Sequence, residues 1–237
     1  IPMGYFVYKY SAEPFTSFLL FSCLFYAFFA ITGIRQTIAT AFSVLVGYHF
    51  VVKRKFLPFL LLILLMATVH KSCLVFLIFY FIANKKLTKP YCAVMLALIP
   101  IVFLFKTQIK VFFVQLTGYE DYLKNFEGAG TYTFTLVLIL VLIVALWRKN
   151  TILERNPQAV HYFNALFLAA VIVPITFVNP SAMRVVQYFS IFLMLLIPEI
   201  ILSFKEKERP FVLVLIATVL IVLFARTNPT YLFFWQR

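Results

Sequence analysis

The stretch that decides the fold is KRKFLPFLLLILLMATVHKSCLVFLIFYFIANKKLTK, residues 53–89. Two basic clusters, one at Lys53, Arg54 and Lys55 and the other at Lys85, Lys86 and Lys89, enclose an apolar run over 57–83. His70 and Lys71 sit side by side in its middle. Such a pair is expensive in hydrocarbon, so it belongs to a turn, a site, or a strained place in lipid. Which of these holds depends on what surrounds the run.

The chain is 64% apolar with 30 Phe, and only 12% of its residues are charged, about half the roughly 25% of a soluble domain. Its polar residues fall in short clusters between apolar runs of about 16–20 residues, the length that crosses a bilayer as a helix. Alternation with a period of two is absent, which excludes a barrel of alternating strands. The sequence therefore predicts an all-α, polytopic membrane helix bundle forming one transmembrane domain over 1–237. In a soluble protein a net charge of +13 would suggest a nucleic-acid partner. Here most Lys and Arg lie in short loops, where they report topology, and no nucleic acid is expected. Cys23, Cys73 and Cys92 fall in apolar segments as reduced packing residues, and no metal-ligand spacing occurs. The opening IPMGYFVYKY has neither an initiator Met nor a basic leader, so a preceding N-terminal part is expected.

About seven spans are expected, at 15–32, 34–52, 90–106, 132–148, 159–178, 184–203 and 211–226. If 57–83 also crossed once, the basic clusters would divide evenly between the two sides. If it is instead a broken or re-entrant hairpin, 57–69 and 72–83 folded back at 70–71, four clusters share the inner side. These are 53–55, 85–89, Arg148/Lys149/Arg155, and Lys205/Lys207/Arg209. The positive-inside rule prefers the hairpin. Thirteen helical residues rise about 20 Å against a core of about 30 Å, so His70 sits deep toward the outer face. Non-helical backbone at that depth must be buried in protein or line a wet cavity. The alternative is one long tilted helix with Lys71 snorkelling.

The same topology sends the 107–131 segment outside as a lid or binding loop with Glu120, Asp121 and Glu127; the alternative is a solvated connector. Arg35 and Gln36 in TGIRQTIA, and Arg184, Gln187 and Tyr188 in NPSAMRVVQYF, stand at outer helix starts. Helix N-termini attract anions, and an Arg adds a planar fork for phosphate oxygens. Arg35, Arg184 and Lys71 thus make a cationic cradle suited to a diphosphate; the alternative is anchoring of helix ends to membrane lipid phosphates. His70 adds a group that takes a proton near neutral pH. His49 and His161, near the inner side, read as structural, and Glu199 as a packing or ion-pair residue. Tyr119, Tyr122 and Tyr132 bracket the outer loop, where aromatic faces can stack on sugars.

GIRQTIATAF, the basic VVKRK, FLLLILLMATVHKSCLVFLIFYFI and RVVQYFSIFLMLLIPEI together resemble the EpsG branch of Wzy-type polysaccharide polymerases. The resemblance rests on Arg35-Gln36-Thr37-Ile38-Ala39, on His70-Lys71-Ser72 and on the Arg184 helix, in order and spacing. It implies a GT-C-like bundle in the bacterial plasma membrane. It also implies an outer-face glycosyltransferase that extends a surface polysaccharide from undecaprenyl diphosphate-linked repeat units, beside a flippase and a chain-length regulator. On that reading His70 is the base and Arg35 and Arg184 stabilise the leaving diphosphate. Lys71, Gln36, Ser72, Tyr188, Tyr132, Glu120 and Asp121 would contact substrate, with no cofactor and no divalent metal. A transporter or flippase, and an outer-face ligase or acyltransferase, are the competing readings.

Overall fold

A 14-residue helix that stops one residue before His70, and a tight turn that starts one residue after it, organise the molecule. The computed structural model describes residues 2–26, 33–117 and 131–227. All of its regular structure there is helical. In chain order the helices are α1 Pro2–Tyr10, α2 Pro14–Leu20 running into a π turn Phe21–Phe25, α3 Ile34–Val52 and α4 Phe56–Val69. A 3-10 turn Lys71–Phe76 leads into α5 Leu77–Ile82, followed by α6 Lys89–Leu104 and α7 Lys106–Thr117. Then come α8 Tyr132–Trp147, α9 Lys149–Arg155, α10 Ala159–Ile172 with the 3-10 turn Val173–Phe177, α11 Met183–Ser190, α12 Leu193–Leu202 and α13 Arg209–Thr227.

Local chemistry sets several of these boundaries. Glu13 caps α2 by accepting from the backbone N–H of Phe15 and Thr16, with Pro14 next. Thr88 caps α6 in the same way, accepting from Tyr91 N–H. α3 ends in a Schellman arrangement: Lys55 N–H reaches Phe50 O at 2.9 Å and Arg54 N–H reaches Val51 O at 3.1 Å. The left-handed position, usually glycine, is filled by Arg54 at φ 53. From there its guanidinium donates to Asn84 Oδ1 at 3.4 Å.

Residues 56–82 fold back on themselves. Ring centroids of Phe56 and Tyr80 lie 5.0 Å apart, those of Phe59 and Phe76 6.0 Å, and Cys73 Sγ lies 3.5 Å from Ile63 O. The pairing steps down one arm as it steps up the other, which only an antiparallel hairpin turning near His70 produces. Its inner face packs on α3 at Gly47, where a Cβ would stand 3.2 Å from the Phe59 ring. Alanine there would require the Phe59 ring to give by a few tenths of an ångström.

α10 and α12 are buried along most of their length and form the centre of the bundle. Phe79, Phe189, Phe192 and Tyr48 fill the space between them and the hairpin, with Phe79 and Phe192 centroids 5.1 Å apart. Where lipid replaces water, such helices gain little from hydrophobic transfer, so close packing and dispersion hold them together.

Two expectations are corrected. Residues 107–117, expected as loop, continue as α7, because Lys106–Thr117 keeps helix-forming residues and no Gly or Pro breaks it. The span expected at 184–203 is two helices, bent by 51° between α11 and α12. By length and composition, Ala159–Phe177 is the one described helix able to cross a membrane, or there are up to four if each bent pair counts as one span. That falls short of the seven expected, since among the described residues the spans at 15–32 and 211–226 are the shorter apolar helices Pro14–Phe25 and Arg209–Ala225. Ile34–Val52 has the length but gives one face to Gln36, Thr40, Ser43 and Tyr48.

The hydrogen bonds also sort the charges by end. Besides Arg54 on Asn84, Lys149 Nζ donates to Leu87 O at 3.1 Å and Arg148 Nε to Ser203 Oγ at 3.2 Å. All four basic clusters therefore gather at one end of the bundle. α3 spans about 28 Å from this end to its start at Ile34, so Arg35 lies at the other.

Candidate functional site

The end opposite the basic clusters is built from two helix starts and the hairpin tip. α3 begins just after Gly33 and brings Arg35 and Gln36 into its first turn. α11 follows a 3-10 turn Pro180–Ala182, whose cap Asn179 accepts from Ser181 N–H at 3.0 Å, and this fixes where Arg184 enters. The two starts are locked by one amide group. Gln36 Nε2 donates to Gln187 Oε1 at 2.7 Å and to Arg184 O at 3.2 Å. Both Gln side chains are buried, so each bond forms where water offers little competition. Arg35 is exposed and Arg184 half-buried, and among the described residues neither guanidinium has a hydrogen-bond or ion-pair partner.

His70 occupies the hairpin tip in extended backbone, φ −153 and ψ 109. Its N–H closes α4 on Met66 O at 2.9 Å, and its carbonyl accepts from Cys73 N–H at 3.2 Å. Its ring Nε2 is buried and has no hydrogen-bond partner among the described residues. Arg184 is close enough for its charge to act on the ring. The next residue but one anchors the tip, with Ser72 Oγ and Tyr188 OH 3.1 Å apart.

The sequence-derived candidates separate on exposure. Arg35, Lys71 and Tyr132 are exposed, and His70, Ser72 and Arg184 half-buried. Gln36 and Tyr188 are buried and spend their polar atoms on Arg184, Gln187 and Ser72 rather than on open space. Tyr132 stacks on Phe177 with centroids 4.8 Å apart, and the neighbouring Thr131 and Thr176 hydroxyls are hydrogen-bonded. This joins the start of α8 to the turn that precedes Asn179. Tyr119, Glu120, Asp121, Tyr122 and Glu127 lie outside the described residues. Among the described residues no group of His, Cys, Asp and Glu could hold a metal ion.

The basic end is occupied by structure. His161 is clasped on both nitrogens, Nδ1 by Tyr48 OH and Nε2 by Asn84 Oδ1, each at 3.1 Å. Asn84 Oδ1 can only accept, so Nε2 carries the proton and Tyr48 donates to Nδ1. His49 Nδ1 accepts from Lys9 Nζ at 3.3 Å. Glu199, buried, ion-pairs with Arg155 and accepts from Asn156 Nδ2 at 2.7 Å.

A family model described as the EpsG family matches residues 1–234. The chain belongs to the EpsG family. Comparison with curated proteins and with solved structures returned no match. Membership implies, in general terms, a membrane protein of exopolysaccharide-related, glycosyltransferase-like polymerase activity.

In this EpsG family member, sequence reasoning missed the role of Gln187, which faces Gln36 across two helices. The available signal was the repeat of Arg followed by Gln at both helix starts, Arg35-Gln36 and Arg184 with Gln187 one turn on. It also missed the polar stripe of Gln36, Thr40 and Ser43 along one face of α3. The Thr40 and Ser43 hydroxyls are buried and turn toward Tyr188 and Cys73 without closing a hydrogen bond.

Proposed function

We propose that this end of the molecule faces outward in the bacterial plasma membrane and joins lipid-linked repeat units into a surface polysaccharide by glycosyl transfer. The carrier is undecaprenyl diphosphate, on the resemblance described above. A hydroxyl of the terminal sugar on one lipid-linked unit attacks the anomeric carbon of the growing chain. The new glycosidic C–O bond forms as the C–O bond to the diphosphate breaks, the diphosphate leaves on its lipid, and the hydroxyl proton passes to the His70 imidazole. Arg35 and Arg184 take up the charge on the leaving group, with Lys71 at the rim.

The observation that carries this reading is the His70 ring. The half-buried His70 imidazole stands at a chain break, two residues from the Ser72–Tyr188 bond that anchors the tip, and is the one side chain among the described residues at this end that exchanges a proton near neutral pH. Gln36, Gln187 and Tyr188 act as positioning residues, because their bonds fix Arg184 and the tip. The gathering of four basic clusters at the other end supports the orientation, by the positive-inside rule.

The test is reconstitution in liposomes with lipid-linked oligosaccharide. Longer glycan on one carrier, with one free lipid diphosphate for each bond formed, is the expected outcome. Transfer of substrate across the bilayer without chain growth would favour a flippase instead.

A further inference from the structure

A second site lies at the basic end, remote from the hairpin tip. A cavity of about 380 Å³ opens between the C-terminus of α8 and the turn joining α12 to α13, lined by Trp147, Arg148, Phe204, Lys205, Glu208 and Phe211. Arg148 is fixed at its centre. Its guanidinium lies 5.5 Å from the Trp147 ring and 4.9 Å from the Phe204 ring, and it donates to Ser203 Oγ and Ser203 O. Those two bonds use two of five N–H donors, so the rest remain for an anion.

We propose that this cavity binds the phosphate of an anionic membrane phospholipid. Arg148 and Lys205 supply two positive charges to the lining. Glu208, the one acid there, is engaged by the backbone, its Oε2 accepting from Lys205 N–H at 3.1 Å. Glu206, Lys207 and Arg209 follow Lys205 in the same turn, and the four cations, Arg148 included, outnumber the two acids, so the charge balance favours an anion over a zwitterion. Trp147 at 71% exposure and Phe211 at 73% leave apolar walls on either side, which a free phosphate has no use for and an acyl chain does. Trp beside Arg and Lys at the end of an apolar helix is also the composition of a bilayer interface. The proposal stands apart from the outward-facing reaction and survives if that reading fails.

Residues 1–237 hold two tryptophans, so Trp235→Phe leaves Trp147 as the sole reporter when this 237-residue chain is used. In bilayers doped with brominated lipid, brominated phosphatidylglycerol should quench Trp147 emission at lower mole fraction than brominated phosphatidylcholine. Lys205→Gln, an exposed position that holds nothing in place through its side chain, should weaken that preference by about fivefold, and Arg148→Gln by at least as much. Inorganic phosphate at millimolar level should leave the quenching unchanged. Equal quenching by the two lipids, or a preference that Lys205→Gln leaves intact, would overturn the proposal. Displacement by inorganic phosphate would overturn the lipid as occupant.

Discussion

Gln36 on α3 and Gln187 on α11 meet amide to amide at 2.7 Å, and the same Gln36 nitrogen holds the carbonyl of Arg184 at 3.2 Å. Two helix starts, each carrying an arginine that has no partner among the described residues, are thereby kept at a fixed separation. A diphosphate presents oxygens on two phosphorus centres, and with the two helix starts already joined only the arginine side chains remain to be ordered around it.

Breaking one half of this lock should cost more than removing both. Gln36→Leu or Gln187→Leu strands the partner amide in a buried place, a loss of about 1–3 kcal/mol. The double variant removes both amides and should recover most of the stability in a thermal-shift measurement. Polymer formation should stay low in Gln36→Leu and in the double variant, because the Arg184 carbonyl has lost its tether in both. Full activity in the double variant would show that the lock serves packing alone.

The hairpin tip makes a second prediction. Ser72→Ala and Tyr188→Phe each remove the same hydrogen bond, so their effects should not add: about 0.5–1.5 kcal/mol for either, and little more for both. Elongation should fall in each variant with the affinity for lipid-linked donor nearly unchanged, since the bond orients His70 and touches no substrate. Additive losses of stability would mean that the two side chains have other partners.

The buried ion pair at the basic end is separable from the chemistry. Arg155→Met leaves the Glu199 carboxylate buried with Asn156 as its remaining partner, and should destabilise by about 3–5 kcal/mol. Arg155→Met with Glu199→Leu should regain much of that. Per folded molecule, elongation by the double variant should match the parent, because nothing at this end joins the reaction.

Orientation is open to labelling. In a background with Cys23, Cys73 and Cys92 replaced, Tyr132→Cys should react with an impermeant thiol reagent added outside intact cells, and Lys86→Cys should not. Reaction of Lys86→Cys from outside would reverse the assignment of ends.

Much of the architecture was legible because charge placement is a sequence property. The clusters flanking 57–83 pointed to a fold-back at His70, and in the structure the arms pair antiparallel about that residue. The helical run over 107–117 was not legible, because amphipathic aromatics mixed with Lys read equally as loop or helix until α7 packs against its neighbours. Bends were hidden for a similar reason: α11 to α12 turns by 51° with no Gly or Pro at the break, a product of packing. In the site, single residues were legible and pairs were not. Arg35, His70 and Arg184 stood out as charges in apolar surroundings. That Gln36 would reach Gln187, or that Tyr188 would turn inward to Ser72, depends on contacts 151 and 116 residues apart in the chain.

The most direct test is glycan elongation by reconstituted His70→Ala, assayed beside the parent protein at equal folded amounts. A general base of this kind contributes about 10²- to 10⁴-fold, so elongation should fall by that factor while lipid-linked donor still binds. Elongation at the parental rate would contradict the account, because the His70 imidazole would then play no part in the transfer.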